Sequence, residues 1–446
     1  MNNSGSQSVS TSVESKPQSV SSLIKSKRIY IPLLLFFNIV INYVDRINVS
    51  IAAPLIAKEF HWDPVRMGFL FSSFLWAYVP MLIPCGWLAD RIGSRKVLAG
   101  GITIWSIGAM LTGAITNFGN MIAARLMLGG GEAASYPVAS KAIRQWFPAS
   151  ERGIATAIFN AGAYAGPGLA TPLVAWVVLQ TGWRVSFVVF GAIGFIWLFA
   201  WLKMYRLPEE CKWLPPAERD YIIENRDNQP AAKQSASDKL RISPLRLLAQ
   251  KTMWGLAIPQ GCATYTQYLF LTWLPTYLVQ VRGMRLIKAG IYSALPFLAA
   301  VILGIFIGKI SDKMLDPDKR KKGQRRMAVI TSLLLASVVF LTNMVTNEFV
   351  VLALISISVT AVSSVITLNI ALANDLVAEP RVMGTVTGIQ VVGGNSFGLV
   401  APIVTGFIVK ATGSFNSAFI LAGAVAIFGA LVSFTLTRKP IVYRES

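Results

Sequence analysis

Residues 29–57 read IYIPLLLFFNIVINYVDRINVSIAAPLIA. The runs Pro32 to Ile41 and Val49 to Ala57 together supply enough apolar chain for one bilayer-spanning helix, which needs about 20 such residues. Midway along stand Tyr43, Asp45 and Arg46. An ionisable side chain at that depth costs several kcal/mol unless it is paired or faces a wet cavity, so it marks a functional site by default. A later apolar segment carries a second acid and base, Arg125 and Glu132. These four groups organise the reading of everything else.

Composition sets the class. Of 446 residues, 54% are hydrophobic and only 14% charged, a balance that belongs to membrane proteins. The net charge of +20 does not indicate a nucleic-acid partner, because the basic residues avoid the apolar segments and gather in particular loops. Cys85 and Cys262 lie in apolar segments and Cys211 in a polar loop, with neither a disulfide framework nor zinc spacing. The single histidine, His61, falls in a short loop and reads as solvated, so no metal is expected. No cofactor is expected either. No Ser/His/Asp set or metal motif stands out, and neither glycine run carries the Lys-Ser/Thr of a phosphate-binding loop, so an enzyme is not indicated.

Residues 1–28 form a polar tail, serine-rich over its first 22 positions, that cannot bury enough surface to fold. It lacks the features of a secretory signal, and a plastid transit peptide is its alternative reading. Six apolar segments follow within residues 29–206, at about 29–57, 66–89, 97–116, 118–143, 153–179 and 184–205. Residues 207–250 are polar and read as a cytoplasmic linker. Six more segments occupy residues 251–437, at about 253–281, 286–311, 327–346, 348–376, 383–409 and 416–436, and residues 438–446 form a second tail. The expectation is an all-α membrane protein of twelve helices in two six-helix halves. Most of the 41 basic residues lie in the tails and in the loops after every even-numbered segment, which places both termini in the cytoplasm of a plasma-membrane protein. The densest cluster, Lys319 to Arg326, reads as a topology anchor touching anionic lipid heads.

Between the second and third segments, Gly86 to Lys96 read GWLADRIGSRK. This resembles the signature loop of the major facilitator superfamily, and a weakened copy, Gly308 to Lys313 (GKISDK), stands at the equivalent place in the second half. Two copies imply an internal repeat with the substrate near the midplane between halves. Gly86 and Gly93 permit close packing and a tight turn, while Asp90, Arg91, Arg95 and Lys96 can latch the cytoplasmic ends of the halves by charge pairs. Within the superfamily, NYVDRINVSIAAP (Asn42 to Pro54), RLMLGGGEAASYP (Arg125 to Pro137), WFPASERGIATAIFN (Trp146 to Asn160) and LTWLPTYL (Leu271 to Leu278) resemble the anion:cation symporter family. Its bacterial members include galactonate, glucarate and hexuronate carriers.

Arg125 and Glu132 are seven positions apart, two turns along one helix face. Asp45 and Arg46 diverge by about 100°, so one can face a cavity while the other reaches a neighbouring helix. Tyr43 shares the face of Arg46, and Tyr78 is a further polar-tipped aromatic. Two acids and two arginines sum to zero. A carboxylate that pairs with Arg46 takes a partner from a neighbouring acid, which then binds a proton more readily, and by linkage protonation favours anion binding. The resemblance implies the same division: Arg46 for the substrate carboxylate, Asp45 and Glu132 as proton acceptors, Arg125 as the switching partner. A static salt bridge between helices is the structural alternative.

The second half offers Tyr265, Gln267 and Tyr268, then Asn369, and then Gln390 and Asn395 as contacts to the uncharged part of a substrate, or as glue between helices. Gly129 to Gly131 and Gly393 to Gly394 read as sites of close helix approach, and Asp375 as a helix-end charge. The chain departs from the galactonate-type pattern where Ala163 stands in place of a glutamine, which makes a less hydroxylated carboxylate, such as an aromatic one, a rival to a sugar acid. The expected activity is import of an organic anion with protons by a monomer, partnered by the lipid bilayer and no nucleic acid. An anion exchanger, sodium coupling and a membrane anion sensor are the alternatives, and the sensor is disfavoured by the lack of a signalling domain.

Overall fold

In hydrocarbon a chain must satisfy its own backbone groups, so apolar stretches of this length become helices. The computed structural model describes residues 26–148, 150–226, 244–314, 323–377 and 382–441, with only the backbone given at 305, 309, 312 and 314. The first half holds α1 (Tyr30–Phe60), α2 (Pro64–Ile92), α3 (Ser94–Ala114), α4 (Phe118–Glu132), α5 (Ser135–Trp146), α6 (Arg152–Thr181) and α7 (Trp183–Met204). Two short helices follow, α8 (Pro216–Arg226) and α9 (Pro244–Leu248). The second half holds α10 (Lys251–Gln280), α11 (Leu286–Met314), α12 (Arg326–Ala336), α13 (Glu348–Leu376), α14 (Met383–Thr412) and α15 (Asn416–Leu436). A 3-10 stretch, Ser337–Met344, prolongs α12.

Among the described residues ten helical spans are long and apolar enough to cross a membrane. Two expected segments are not in that set. The segment expected at 118–143 is divided at Ala133 and Ala134 into α4 and α5, and α10 carries Gln260, Thr264, Thr266, Gln267 and Thr272 along its length. The sequence marks the helix ends. Asp63 caps α2, its carboxylate accepting the Arg66 N–H at 2.8 Å with Pro64 in the first turn, and Asn117 caps α4 in the same way. At Gly93 φ is +89°, which lets α2 turn into α3 within a single residue.

The two halves repeat one packing scheme. α1 lies against α6 in the first half and α10 against α14 in the second. Between halves, α2 meets α14, α6 meets α11 and α1 meets α10. Both α1 and α10 are buried along nearly their whole length, so they form the centre of the molecule.

Contacts between halves gather toward the end where α1 turns into α2. There Lys410 pairs with Asp63 at 2.7 Å, Ser50 donates to the Thr272 carbonyl at 2.6 Å and Ser72 to the Leu399 carbonyl at 2.7 Å. Gly68 sits against the backbone of Pro402 and Ile403, and reciprocally Gly406 sits against Pro64 and Val65. At the other end, a Cβ added at Gly153, Gly384 or Gly388 would meet nothing within 4 Å. Among the described residues the polar contacts between halves therefore concentrate at the Asp63 end.

The linker is not featureless where it is described. Glu218 of α8 accepts the backbone N–H groups of Lys27 and Arg28 at 3.1 and 3.0 Å. The buried Arg28 pairs with Glu151 at 3.1 Å, and Tyr221 of α8 donates to the same carboxylate at 2.9 Å. Residues 26–29, the α5–α6 connection and α8 thus form one knot on the first half. Residues 1–25, 227–243, 442–446 and Lys319 to Lys322 of the basic cluster lie outside the described residues.

Three outcomes follow from these contacts. Gly406→Leu forces a side chain into the α2 backbone, so spin labels at positions 66 and 412 should move apart relative to the unmodified chain. The Lys410 ammonium, and then the Arg66 N–H, hold the Asp63 carboxyl below its ordinary range. A depressed acid contributes its pairing at neutral pH and loses it as pH falls through the lowered value. The same label distance should therefore stay constant through neutral pH and lengthen only in strong acid, with Asp63→Asn showing no acid step. Glu151→Ala removes one of the two carboxylates that pair with the buried Arg28, leaving Glu218 at 3.7 Å, and should lower the apparent Tm.

Candidate functional site

The four ionisable groups converge. Asp45 and Arg46 on α1, and Arg125 and Glu132 on α4, are all buried. Of the adjacent Asp45 and Arg46, it is Arg46 that reaches the fourth segment. Glu132 Oε2 accepts from Arg46 Nε at 2.9 Å and Nη2 at 2.7 Å, so the ion pair runs between α1 and α4 rather than along α4. Glu132 closes the C-terminal end of α4, where the helix dipole is negative and a carboxylate is least favoured, and the guanidinium opposite offsets both charges.

The remaining two groups are near but unbonded. Both carboxylate oxygens of Asp45, Nε and Nη1 of Arg125, and Oε1 of Glu132 are buried and accept or donate no hydrogen bond. Arg125 feels both acids electrostatically. One arginine is thus committed to one acid, and a second of each remains available beside them.

Aromatic rings hold Arg46. Its guanidinium carbon lies 4.3 Å from the Phe74 ring centre, 4.9 Å from Tyr43 and 5.0 Å from Tyr78, and Phe74 and Tyr78 stack at 5.2 Å. Such contacts are worth about 2 kcal/mol or more once desolvated, so Arg46 is positioned independently of any ligand. Phe74 also lies 5.6 Å from Arg125, between the two arginines. Sequence reasoning missed Phe74, because a phenylalanine in an apolar run carries no polar signal. It was findable only as a residue one helical turn before Tyr78 on the same face.

The backbone explains how α4 comes so close. Gly129 abuts the Phe74 carbonyl and Gly131 abuts Gly101 and Trp105, as expected of close approach. Asn42 donates to Ser135 Oγ at 3.0 Å, tying α1 to α5 just past the break. Ala163 sits partly buried against the core.

The second half contributes fewer polar groups than expected. Tyr268 faces Arg46, Tyr43 and Tyr78 within electrostatic reach, and Tyr265 is buried in the same helix. Gln390 and Asn369 are consumed as glue: Asn369 donates to the Leu256 carbonyl at 2.8 Å and to Gln260 at 3.1 Å, and Gln390 donates to the Asn369 carbonyl at 3.3 Å. Asn395 is half-buried and donates to the Val391 carbonyl on its own helix at 2.9 Å. These amides correct the expectation of a polar C-terminal wall. Asp375 pairs with Arg325 at 2.7 Å near the end of α13.

The signature loop holds the first half together in this structure. Lys141 donates to Asp90 at 3.0 Å and to the Ala89 carbonyl at 2.7 Å, Arg95 donates to the Leu202 carbonyl, and Arg91 lies 4.1 Å from the Trp87 ring. Gly86 approaches Pro137, and Lys96 is exposed at the start of α3. Among the described residues the charges of this loop thus make their contacts within their own half.

Two repeated helical halves around a buried cluster of compensating charges define a multi-pass membrane transporter. The chain belongs to the Major Facilitator Superfamily, whose model matches residues 35–398. It is 34% identical over 432 residues to the probable galactarate/D-glucarate transporter GudP of Escherichia coli (strain K12), covering 94% of this chain and 96% of that one. It is 31% identical to the D-galactonate transporter of Escherichia coli O6:H1, with 91% and 94% covered. It is also 31% identical to the probable sulfoacetate transporter SauU of Cupriavidus necator, with 88% and 90% covered. Among solved structures, the fold is similar to that of a bacterial homolog to the human lysosomal transporter Spinster in an inward-facing and occupied conformation. The TM-score is 0.71 at 18% identity, covering 92% of this chain and 97% of that one.

If the rings hold Arg46 as argued, Tyr78→Phe should leave anion binding nearly unchanged. Phe74→Ala, which removes the ring between the arginines, should weaken it by about tenfold or more, read by titration calorimetry.

Proposed function

We propose that the protein is a proton-coupled symporter that imports a small organic anion by alternating access, through twelve membrane-spanning segments with both termini in the cytoplasm. The broken α4–α5 rod and the polar α10 supply the two spans beyond the ten recognised by apolarity. The carrying observation is the Arg46–Glu132 ion pair, buried at the centre beside an unpartnered Asp45 and Arg125. The relatives that carry galactarate, D-glucarate, galactonate and sulfoacetate support an anionic cargo.

In this reading the incoming carboxylate or sulfonate takes Arg46 from Glu132. Glu132 is then left with Arg125 as its nearest cation, and proton binding at Glu132 or Asp45 restores neutrality for a monoanion, and at both of them for a dianion. A site that is neutral both empty and loaded can pass through a closed state without burying net charge. Release at the end that carries the chain termini restores the starting pair. The Asp63–Lys410 contact and the Gly68 and Gly406 approaches hold the opposite end shut in the meantime.

Two cargo classes remain in play on specific grounds. Sugar-acid relatives favour a hydroxylated acid, whereas the amides consumed as glue and the tyrosines around Arg46 favour a less hydroxylated one. A thermal-shift panel separates them, because a ligand at 100 times its Kd adds about 2.7 kcal/mol to apparent stability. D-glucarate raising Tm while benzoate does not would support the sugar acid, and the reverse the aromatic acid.

The mechanism is tested in liposomes with the cargo so identified. Arg46→Ala should abolish uptake. Glu132→Gln should lose accumulation driven by a pH gradient while retaining counterflow exchange. Wild-type accumulation that persists at fixed voltage with the pH gradient collapsed would overturn proton coupling.

A further inference from the structure

A groove of about 630 Å³ opens on the outer face of the second half, far from the charge cluster. Its walls are α11 and α12 and its floor is α13. It exists because the two halves are not equal here. In both halves the two helices each pack on a third, α4 or α13, but α2 turns into α3 at Gly93 and the two touch, whereas α11 and α12 are joined by a longer segment.

The groove extends from Gln324 at its mouth to Leu335, about 16 Å of helix at 1.5 Å per residue. That is the depth of one leaflet, half of the roughly 30 Å hydrocarbon core. Ile307, Met327, Leu335 and Ile357 make its sides apolar.

Two polar groups break that apolar lining. Ser311 Oγ and Thr360 Oγ1 line the groove, are more than nine-tenths buried, and have no hydrogen-bond partner. Many membrane hydroxyls of this half donate to the carbonyl one turn back, as Thr264, Thr272, Ser364 and Thr405 do, and Thr276, Ser293 and Ser433 are buried without a partner at separate places, whereas Ser311 and Thr360 share one groove. A buried hydroxyl in hydrocarbon has no water to turn to, so leaving two of them unpaired in one groove is costly unless a ligand supplies acceptors.

We propose that this groove is a binding site for one glycerophospholipid of the leaflet on the side of the chain termini. An acyl chain lies along Ile307, Met327 and Leu335, and ester oxygens sit within reach of Ser311 near the mouth. A free organic anion is excluded as the occupant by the apolar walls, and a fully apolar molecule leaves both hydroxyls unpaired. The lipid wedges α11 apart from α12 and fills the place that α2–α3 packing fills in the first half. α11 also packs on α6 across the halves, so an occupied groove bears on the helix that slides when the transporter changes state.

The site is tested on the full chain reconstituted into palmitoyl-oleoyl phosphatidylglycerol vesicles, re-extracted in mild detergent and weighed by native mass spectrometry. The wild type should retain a single phospholipid. Thr331→Trp changes an exposed groove residue and fills the space, and should abolish that retained mass. Ser311→Ala with Thr360→Val keeps shape but removes the hydroxyls, and should lower occupancy by about tenfold, the scale of one or two hydrogen bonds. Unchanged Tm in either variant shows that the fold is kept. A wild type that carries detergent alone, or equal lipid retention in Thr331→Trp, overturns the proposal.

Discussion

The governing constraint is that charge cannot be left uncompensated inside this molecule. An ion moved from water into a low-dielectric interior loses several kcal/mol of solvation even after relaxation, and only a well-made pair recovers it. Arg46 and Glu132 are such a pair, with two nitrogens on one oxygen and three rings around the cation. The architecture follows from the need to make it. α4 must come close enough for Glu132 to reach α1, which requires Gly129 against Phe74 and Gly131 against Gly101. α4 must also end at Glu132, which gives the break before α5.

Much of this was legible in the residues, and the part that was not has a clear physical cause. Asp45, Arg46, Arg125 and Glu132 announced themselves because charge in an apolar run is rare. The spans were legible because helices in hydrocarbon leave little choice of structure. Partner choice was not legible: heptad spacing puts Arg125 and Glu132 on one face, yet a rigid helix keeps side chains two turns apart from bonding as well as a neighbour on α1 can. Nor could the sequence distinguish amides that face a cargo from amides that face one another. Asn369 donates to Gln260 and Gln390 donates to the Asn369 carbonyl, and this choice of partner is a property of packing rather than of residue type.

The halves repeat in packing but divide the work. The two acids and two arginines of the cluster belong to α1 and α4, while α10 brings tyrosines, bonds Gln260 to Asn369 of α13 and turns Thr264, Thr266 and Thr272 onto its own carbonyls. A charge-bearing half facing an aromatic half keeps the compensating charges within one rigid body. In the proposed cycle their mutual distances would change little as the halves rock, so the free energy of the proposed exchange would depend on cargo and proton and not on the rocking itself.

The contacts at the two ends complete that argument. At the Asp63 end, closure rests on backbone against glycine at Gly68 and Gly406, reinforced by a partly exposed ion pair. A surface pair of this kind contributes about 0–1 kcal/mol, too little to trap a state. At the other end the charges of the signature loop, Asp90 and Arg95, bond within their own half. A transporter must hold each closed state by an amount its ligands can overcome, a few kcal/mol at most. Close backbone packing with weak charge reinforcement meets that limit, whereas a buried ion pair across the halves would exceed it. The strong buried pair is accordingly found inside one half, and the weak exposed one between the two.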